Sequence, residues 1–332
     1  MKFHNILVQF RALGGIAENL TLRQGSRGRG LFAVNPAKPV RLMVPMHLLV
    51  SPDWVEVDAA EHLRVAAKAA SHLNPNVIAF FECYQRHLGW GNGGMDAIRQ
   101  HQLALQALPP KLKNFLHILG AAQELTQQPT AKYCLQKYFV NRQISIKSAS
   151  RLMPIAELIN HSPAGLPYVV DEGGVMVTGV VKDEVLTRYH SHLDAFHLFV
   201  NYHFATPAPT ALSCEVTVEV PALGTLSIAR MDHLADSHGK LRIPKISKNR
   251  DKLHLSFVEI ANKKSPSQPR KTFTHLMATQ HVPASVANAL FDGLVEHNRQ
   301  VLAELVQECQ LHPGEMASCL QQVALYQLAA IA

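Results

Sequence analysis

Between about Asp53 and Tyr138, apolar residues recur at three- and four-residue spacings. The segments AAEHLRVAAKAASHL, NVIAFFECYQRHL, MDAIRQHQLALQAL and KLKNFLHILGAAQEL carry that period, and Pro75, the GWGNGG stretch from Gly89 and Pro109-Pro110 separate them. The period predicts a block of amphipathic helices. Up to about Val50 the texture is different: FRALGG, QGSRGRG, LFAV and AKPVRLMVP are short apolar runs punctuated by Gly and Pro, which predicts strands and turns. Strand texture returns after His161, where YVV and VMVTGVV flank Asp171-Glu172-Gly173-Gly174, a predicted hairpin turn. LDAFHLFVNYHF predicts a helix, CEVTVEV and LHLSFVEI predict further strands, and the tail from about Thr272 is helical. Its longest segment places Leu294, Val301 and Leu305 at the spacing of a packed face. No period repeats along the chain.

Composition narrows the class. A chain of 332 residues that is 47% hydrophobic and 17% charged has the make-up of a soluble globular protein and is long enough for two or three units, which excludes disordered and fibrous classes. The apolar run Ile6-Leu7-Val8 is too short for a signal peptide or a membrane span, so an intracellular, cytoplasmic protein with no membrane partner is expected. The five cysteines, Cys83, Cys134, Cys214, Cys309 and Cys319, form no C-x-x-C pair and are read as small buried hydrophobes. His190, His192, His197 and His203 cluster in sequence, but no H-E-x-x-H pattern or cysteine accompanies them, so no metal site is expected. The net charge of +7 has a local source: Lys240, Arg242, Lys245, Lys248, Arg250, Lys252, Lys263, Lys264, Arg270 and Lys271 stand against Asp251 and Glu259. This basic 240–271 segment suits an acidic partner or a solvated face; nucleic acid is allowed by the charge but not favoured.

One stretch resists the pattern. MPIAELINHSP begins as an apolar run and stops at Asn160-His161-Ser162 before Pro163. An ordinary helix C-terminus explains such a stop, since Asn tolerates the left-handed conformation and Pro forbids continuation. The rest of the chain offers a second explanation. In order, Gly28-Arg29-Gly30-Leu31-Phe32-Ala33, Asn160-His161-Ser162, Val185-Leu186-Thr187-Arg188-Tyr189 and Tyr202-His203-Phe204 resemble the landmarks of SET-domain protein lysine methyltransferases. PIAELINHS, with tyrosines thirteen residues apart at 189 and 202, is similar to the branch typified by the Rubisco large-subunit lysine methyltransferase.

The resemblance implies an α+β protein: a mostly-β SET fold with knot-like C-terminal threading, a helical insertion and a helical C-terminal domain. It divides the chain into 1–50 and 139–206 as the two parts of the SET domain, 51–138 as the insertion, and 207–332 as a mixed, then helical, substrate-binding domain. It implies that S-adenosylmethionine is the cofactor, contacted by Gly28, Arg29, Gly30, Asn160 and His161. Tyr189 matches the catalytic tyrosine, and Tyr202 and Tyr168 match tyrosines of the substrate channel. Arg142 stands where the family often has an arginine, and an exposed surface arginine is the other reading. The chain departs from the pattern at His190 and His203, where small residues or glycine are usual, at Ala195 in place of an asparagine, and at Lys182-Asp183.

The chemistry fits such residues. Methyl transfer to lysine needs a neutral amine in line with a sulfonium methyl, yet lysine has an unperturbed pKa of about 10.4. An apolar channel rimmed by tyrosines strips water from the ammonium, buries its methylene stem and orients the nitrogen without adding charge. The expected function is therefore an S-adenosylmethionine-dependent protein lysine N-methyltransferase acting on a protein substrate. The alternative is a catalytically weak SET-like binding module that works through the basic 240–271 segment.

Overall fold

The computed structural model describes residues 2–189, 193–220, 224–230, 243–250 and 252–332. It is an α+β chain whose contacts divide into two compact units, one of residues 1–100 and 129–191, the other of 101–128 and 192–332. The sequence boundary at 206/207 falls inside the second unit.

The first unit is built on an antiparallel sheet of four strands in the order Ile16–Glu18, Val40–Pro45, Gly174–Gly179, Val169–Val170. The last two form the expected hairpin, in which the Asp171 carboxylate accepts the N–H groups of Gly173 and Gly174. A separate hairpin pairs Leu20–Gly25 with Gly28–Ala33 in strict register, closed by Ser26-Arg27. Leu31, Leu42, Val44, Val175, Val177 and Ile155 are buried together in one core cluster. A second cluster surrounds Trp90, Phe81 and Tyr138 under the helices Pro75–His87 and Ala131–Arg142. The caps of those helices are local: the Asn74 side chain accepts from the Asn76 N–H and Thr130 from the Tyr133 N–H.

Three expectations change here. Phe3–Ala12 is a helix, not a strand, because Ile6, Leu7 and Phe10 share one buried face that a four-residue spacing creates. The first of the predicted insertion helices is not α-helical: Val55–Val57 pairs with Leu63–Val65, and a 3-10 turn follows at Ala67–His72. The alanines of that stretch favour helix, but Val55, Leu63 and Val65 pack against the Trp90 cluster as strand residues do. Finally, the polar stop at Asn160 ends no α-helix. Ala156–Leu158 is a single 3-10 turn, and Asn160–Leu166 is a strand that runs through Pro163.

The second unit holds a four-stranded sheet ordered Val216–Val220, Gly224–Ile228, Lys252–Leu255, Ile246–Asn249, whose central pair is parallel. Thr210–Leu212 pairs with Glu259–Asn262. The tail forms three helices, Gln268–Ala278, Ala284–Leu311 and Glu315–Ile331, and Leu294, Val301 and Leu305 are buried as their spacing requires. Their core is shared with Phe196 and Phe199 of the Ala195–Tyr202 helix and with Leu112 and Leu116. No described helix is long and apolar enough to cross a membrane. Cys134, Cys214 and Cys309 are buried, and Cys83 and Cys319 are half-buried.

Candidate functional site

Three segments distant in sequence meet in the first unit. The Gly28–Ala33 strand carries the G-x-G element, and Gly28 has φ +86°, a left-handed conformation that glycine adopts at no cost. The space where its Cβ would stand is open. Gly30 is required for a different reason: a Cβ there would lie 2.6 Å from Asn160 Nδ2 and 2.7 Å from Glu184 Oε1. Only glycine lets those two side chains meet beside the strand. Asn160 Nδ2 donates to Glu184 Oε1 at 2.7 Å and to the Arg29 carbonyl at 3.3 Å. The Glu184 carboxylate, nearly buried, also accepts from Arg27 Nη1 at 3.2 Å.

The third segment is Leu186–Tyr189. Leu186 and Thr187 pair in parallel with the Asn160–Leu166 strand, Leu186 opposite Asn160 and Thr187 opposite Leu166. A Cβ on Gly165 would fall 2.6 Å from the Thr187 backbone, so the two chains approach as closely as main chain allows. The Tyr189 N–H donates to His161 Nδ1 at 3.1 Å, and the Tyr189 hydroxyl donates to the Ile159 carbonyl at 2.6 Å. His161 is buried, and burial pushes its pKa down to about 4. At neutral pH the ring is uncharged, with Nδ1 the acceptor and the proton on Nε2. The Thr187 hydroxyl donates to the Tyr168 hydroxyl at 3.1 Å, which draws Tyr168 to the same strand pair.

Beneath this cluster lies a buried polar network that the sequence did not announce. Glu157, in the turn before Asn160, has its Oε1 within hydrogen-bonding distance of the Tyr84 hydroxyl (2.9 Å), the Tyr138 hydroxyl (3.0 Å) and Gln85 Nε2 (3.2 Å). Its Oε2 is buried without a hydrogen-bond partner among the described residues. Burial raises the Glu157 carboxyl above the usual range, although Arg142 and these hydrogen bonds oppose it. Arg142 is no surface arginine: Nη1 donates to the Glu157 carbonyl at 3.1 Å, and its guanidinium lies 4.7 Å over the Tyr138 ring. The turn that these groups hold is strained, since Ile155 is β-branched and sits at φ +69°. Arg29 enters the cluster through its carbonyl; its guanidinium turns away to the Leu88 carbonyl at 2.5 Å.

Tyr202 belongs to the second unit, where it ends the Ala195–Tyr202 helix. Burial pushes its hydroxyl up to about 12, so it remains protonated at neutral pH. His203 follows at φ +66°, the left-handed conformation for which glycine is the natural residue, and its ring stacks on His101 at 3.8 Å. The departure from glycine therefore falls where a side chain costs about 1–2 kcal/mol. His190 and His192 lie outside the described residues, as do Lys240, Arg242 and Asp251. Among the described residues, no group of three or more His, Cys, Asp or Glu side chains is arranged to hold a metal ion.

Of the expected residues, Gly28, Arg29, Gly30, Asn160, His161, Tyr168 and Tyr189 all lie on the segments that meet here. Glu157 and Glu184 were missed. A lone acid inside the apolar run PIAELI was the available signal for Glu157; Glu184 had none, since its partners Arg27 and Asn160 are far away in sequence.

No protein-family model matches this chain, and no curated protein matches it in sequence. Among solved structures, the crystal structure of the SET domain of LSMT bound to lysine and AdoHcy is similar over 99% of this chain and 88% of its own, at 14% identity and a TM-score of 0.43. A structure of Rubisco LSMT bound to AdoMet is similar over 99% and 89%, at 14% identity and a TM-score of 0.42.

Proposed function

We propose that the chain is an S-adenosylmethionine-dependent protein lysine N-methyltransferase of the SET type. The observation that carries the reading is the meeting of Gly30, Asn160 and the Leu186–Tyr189 segment in one cluster, tied by the bonds of Asn160 and His161. These are the residues whose order in the sequence resembles the family, and their packing supports a common site.

The residues fit the cofactor. Gly28 leaves open space beside a left-handed backbone, so main chain can approach a ligand. Asn160 spends its amide N–H groups on Glu184 and Arg29, which leaves its carbonyl oxygen to accept from the cofactor's ammonium. When bound, S-adenosylmethionine supplies a methyl group on a positively charged sulfur. The chain's own groups prepare the acceptor. His161 is neutral and adds no competing charge. The Tyr189 hydroxyl donates its hydrogen bond to the Ile159 carbonyl, which leaves its oxygen lone pairs to orient an amine N–H. Tyr168, held by Thr187, takes the channel role that the resemblance gives it, and Tyr202 is assigned to the channel by the resemblance alone.

One observation favours the alternative of a catalytically weak binding module: the Asn160 amide N–H groups already have acceptors within the protein, so the site needs no cofactor to occupy them. Incubation of the full chain with methyl-labelled S-adenosylmethionine and cell lysate decides between them. Label on lysine of a discrete protein supports the enzyme; a chain that neither binds the cofactor nor transfers label supports the module.

A further inference from the structure

The basic 240–271 segment belongs to the second unit. In the second unit it borders a pocket of about 190 Å³ between the start of the Gln268–Ala278 helix and the chain leading into the Glu259–Asn262 strand. Pro244, Phe257, Val258, Pro269, Phe273 and Leu276 line it, and the volume suits one large aliphatic or aromatic side chain. Among the described residues that line it, Glu259 is the one charged group, and its carboxylate accepts from Asn262 Nδ2 at 3.0 Å. Outside the pocket the charge is of the opposite sign. Lys245 directly follows the lining residue Pro244, and Lys271 directly precedes Thr272; both are exposed, as are Lys263 and Lys264 beyond the strand. Among the described residues from 243 to 271, eight Lys and Arg side chains accompany Glu259 as the one acid. Of these cations Arg270 is neutralised by Asp292, and no ion pair is formed among described residues by the four lysines named.

We infer that this pocket and its lysine rim bind a segment of a partner protein in which one large apolar side chain is flanked by acidic residues. The anchor fills the apolar pocket, the acidic flanks meet Lys245, Lys263, Lys264 and Lys271, and Glu259 accepts a main-chain N–H of the bound segment. Apolar burial supplies the affinity and charge complementarity the selectivity. The inference stands apart from the methyl-transfer reading, because it concerns binding alone.

The test is fluorescence anisotropy of the full chain with a dye-labelled peptide containing one leucine between two pairs of glutamates. The expected result is saturable binding that weakens roughly tenfold when the leucine becomes alanine, and is lost when lysines replace the glutamates. Thr272→Trp, which fills the pocket from the helix, should weaken it at least tenfold. The exposed pair Lys263→Glu/Lys264→Glu, which spares the core, should weaken it and flatten its salt dependence. Equal binding of the leucine and alanine peptides, or stronger binding of a single-stranded RNA oligomer that competes with the peptide, would overturn the proposal. So would concentration-dependent dimerisation abolished by Thr272→Trp, which would give the pocket to a second copy of the chain.

Discussion

Each unit buries a carboxylate, and the two are treated in opposite ways. In the second unit Asp194 caps the Ala195–Tyr202 helix by accepting from the His197 N–H. It also meets Arg230 Nη2 at 2.5 Å, His197 Nδ1 at 2.9 Å, Gln327 Nε2 at 2.8 Å and the Leu212 N–H at 3.3 Å. Burial alone would raise its pKa, but Arg230, His197 and these donors outweigh it and hold the carboxyl far below the usual range. In the first unit Glu157 has hydroxyl and amide donors on one oxygen, no donor among the described residues on the other, and a pKa raised by burial. A saturated charge of the first kind fastens helix and strand together. An incompletely satisfied one beside a strained isoleucine, in the turn that delivers Asn160 and His161, is the condition expected of a working site.

The comparison can be broken most directly at Arg230. Arg230→Met leaves Asp194 buried without its cation, which should cost about 3–5 kcal/mol, read from chemical denaturation of the full chain. A loss under about 1 kcal/mol, the range of exposed pairs, would show that the cluster is not the fastening described.

Next in size is Tyr189→Phe, which keeps the ring beside His161 and removes the hydroxyl bonded to Ile159. Turnover should fall roughly 10²–10³-fold with cofactor binding little changed, the scale for one preorganised polar group. Single-turnover methylation within a few-fold of wild type would remove Tyr189 from the mechanism. Tyr202→Phe should slow transfer less and shift the product towards higher methylation, read by mass spectrometry.

The pH dependence separates the carboxylates by sign. Asp194, with its folded pKa depressed, contributes stability above the ordinary carboxylate range that is lost as pH falls. Glu157, with its folded pKa raised, contributes stability that is full below that range and lost as pH rises through its folded value. Asp194→Asn should therefore flatten the acid limb of the stability curve, and Glu157→Gln should flatten the decline above it. At neutral pH Glu157→Gln should change stability by less than about 1 kcal/mol, because glutamine keeps an oxygen that accepts from the Tyr84 and Tyr138 hydroxyls. Parallel pH profiles for the two variants would erase the contrast.

Periodicity made the tail helices and the Asp171–Gly174 hairpin legible, since burial of Leu294, Val301 and Leu305 is a one-dimensional pattern. It misread Phe3–Ala12, where Ile6-Leu7-Val8 looks like a strand until Phe10 joins the buried face. It also misread Val55–Val65, where alanine-rich flanks hid a strand pair. In the site, Gly30 and Asn160 could be picked out by order and spacing, but the reason they go together is a 2.6 Å clash that only the folded chain reveals. Glu157 and Glu184 stayed hidden because their partners come from segments up to 157 residues away.

The central claim is that the first unit's cluster is a cofactor site, and calorimetric titration of the full chain with S-adenosylmethionine tests it most directly. The account predicts saturable binding of the cofactor and of its demethylated product, weakened by roughly 1–3 kcal/mol in Asn160→Ala through loss of a buried polar partner. A folded wild-type chain that takes up neither ligand would contradict it.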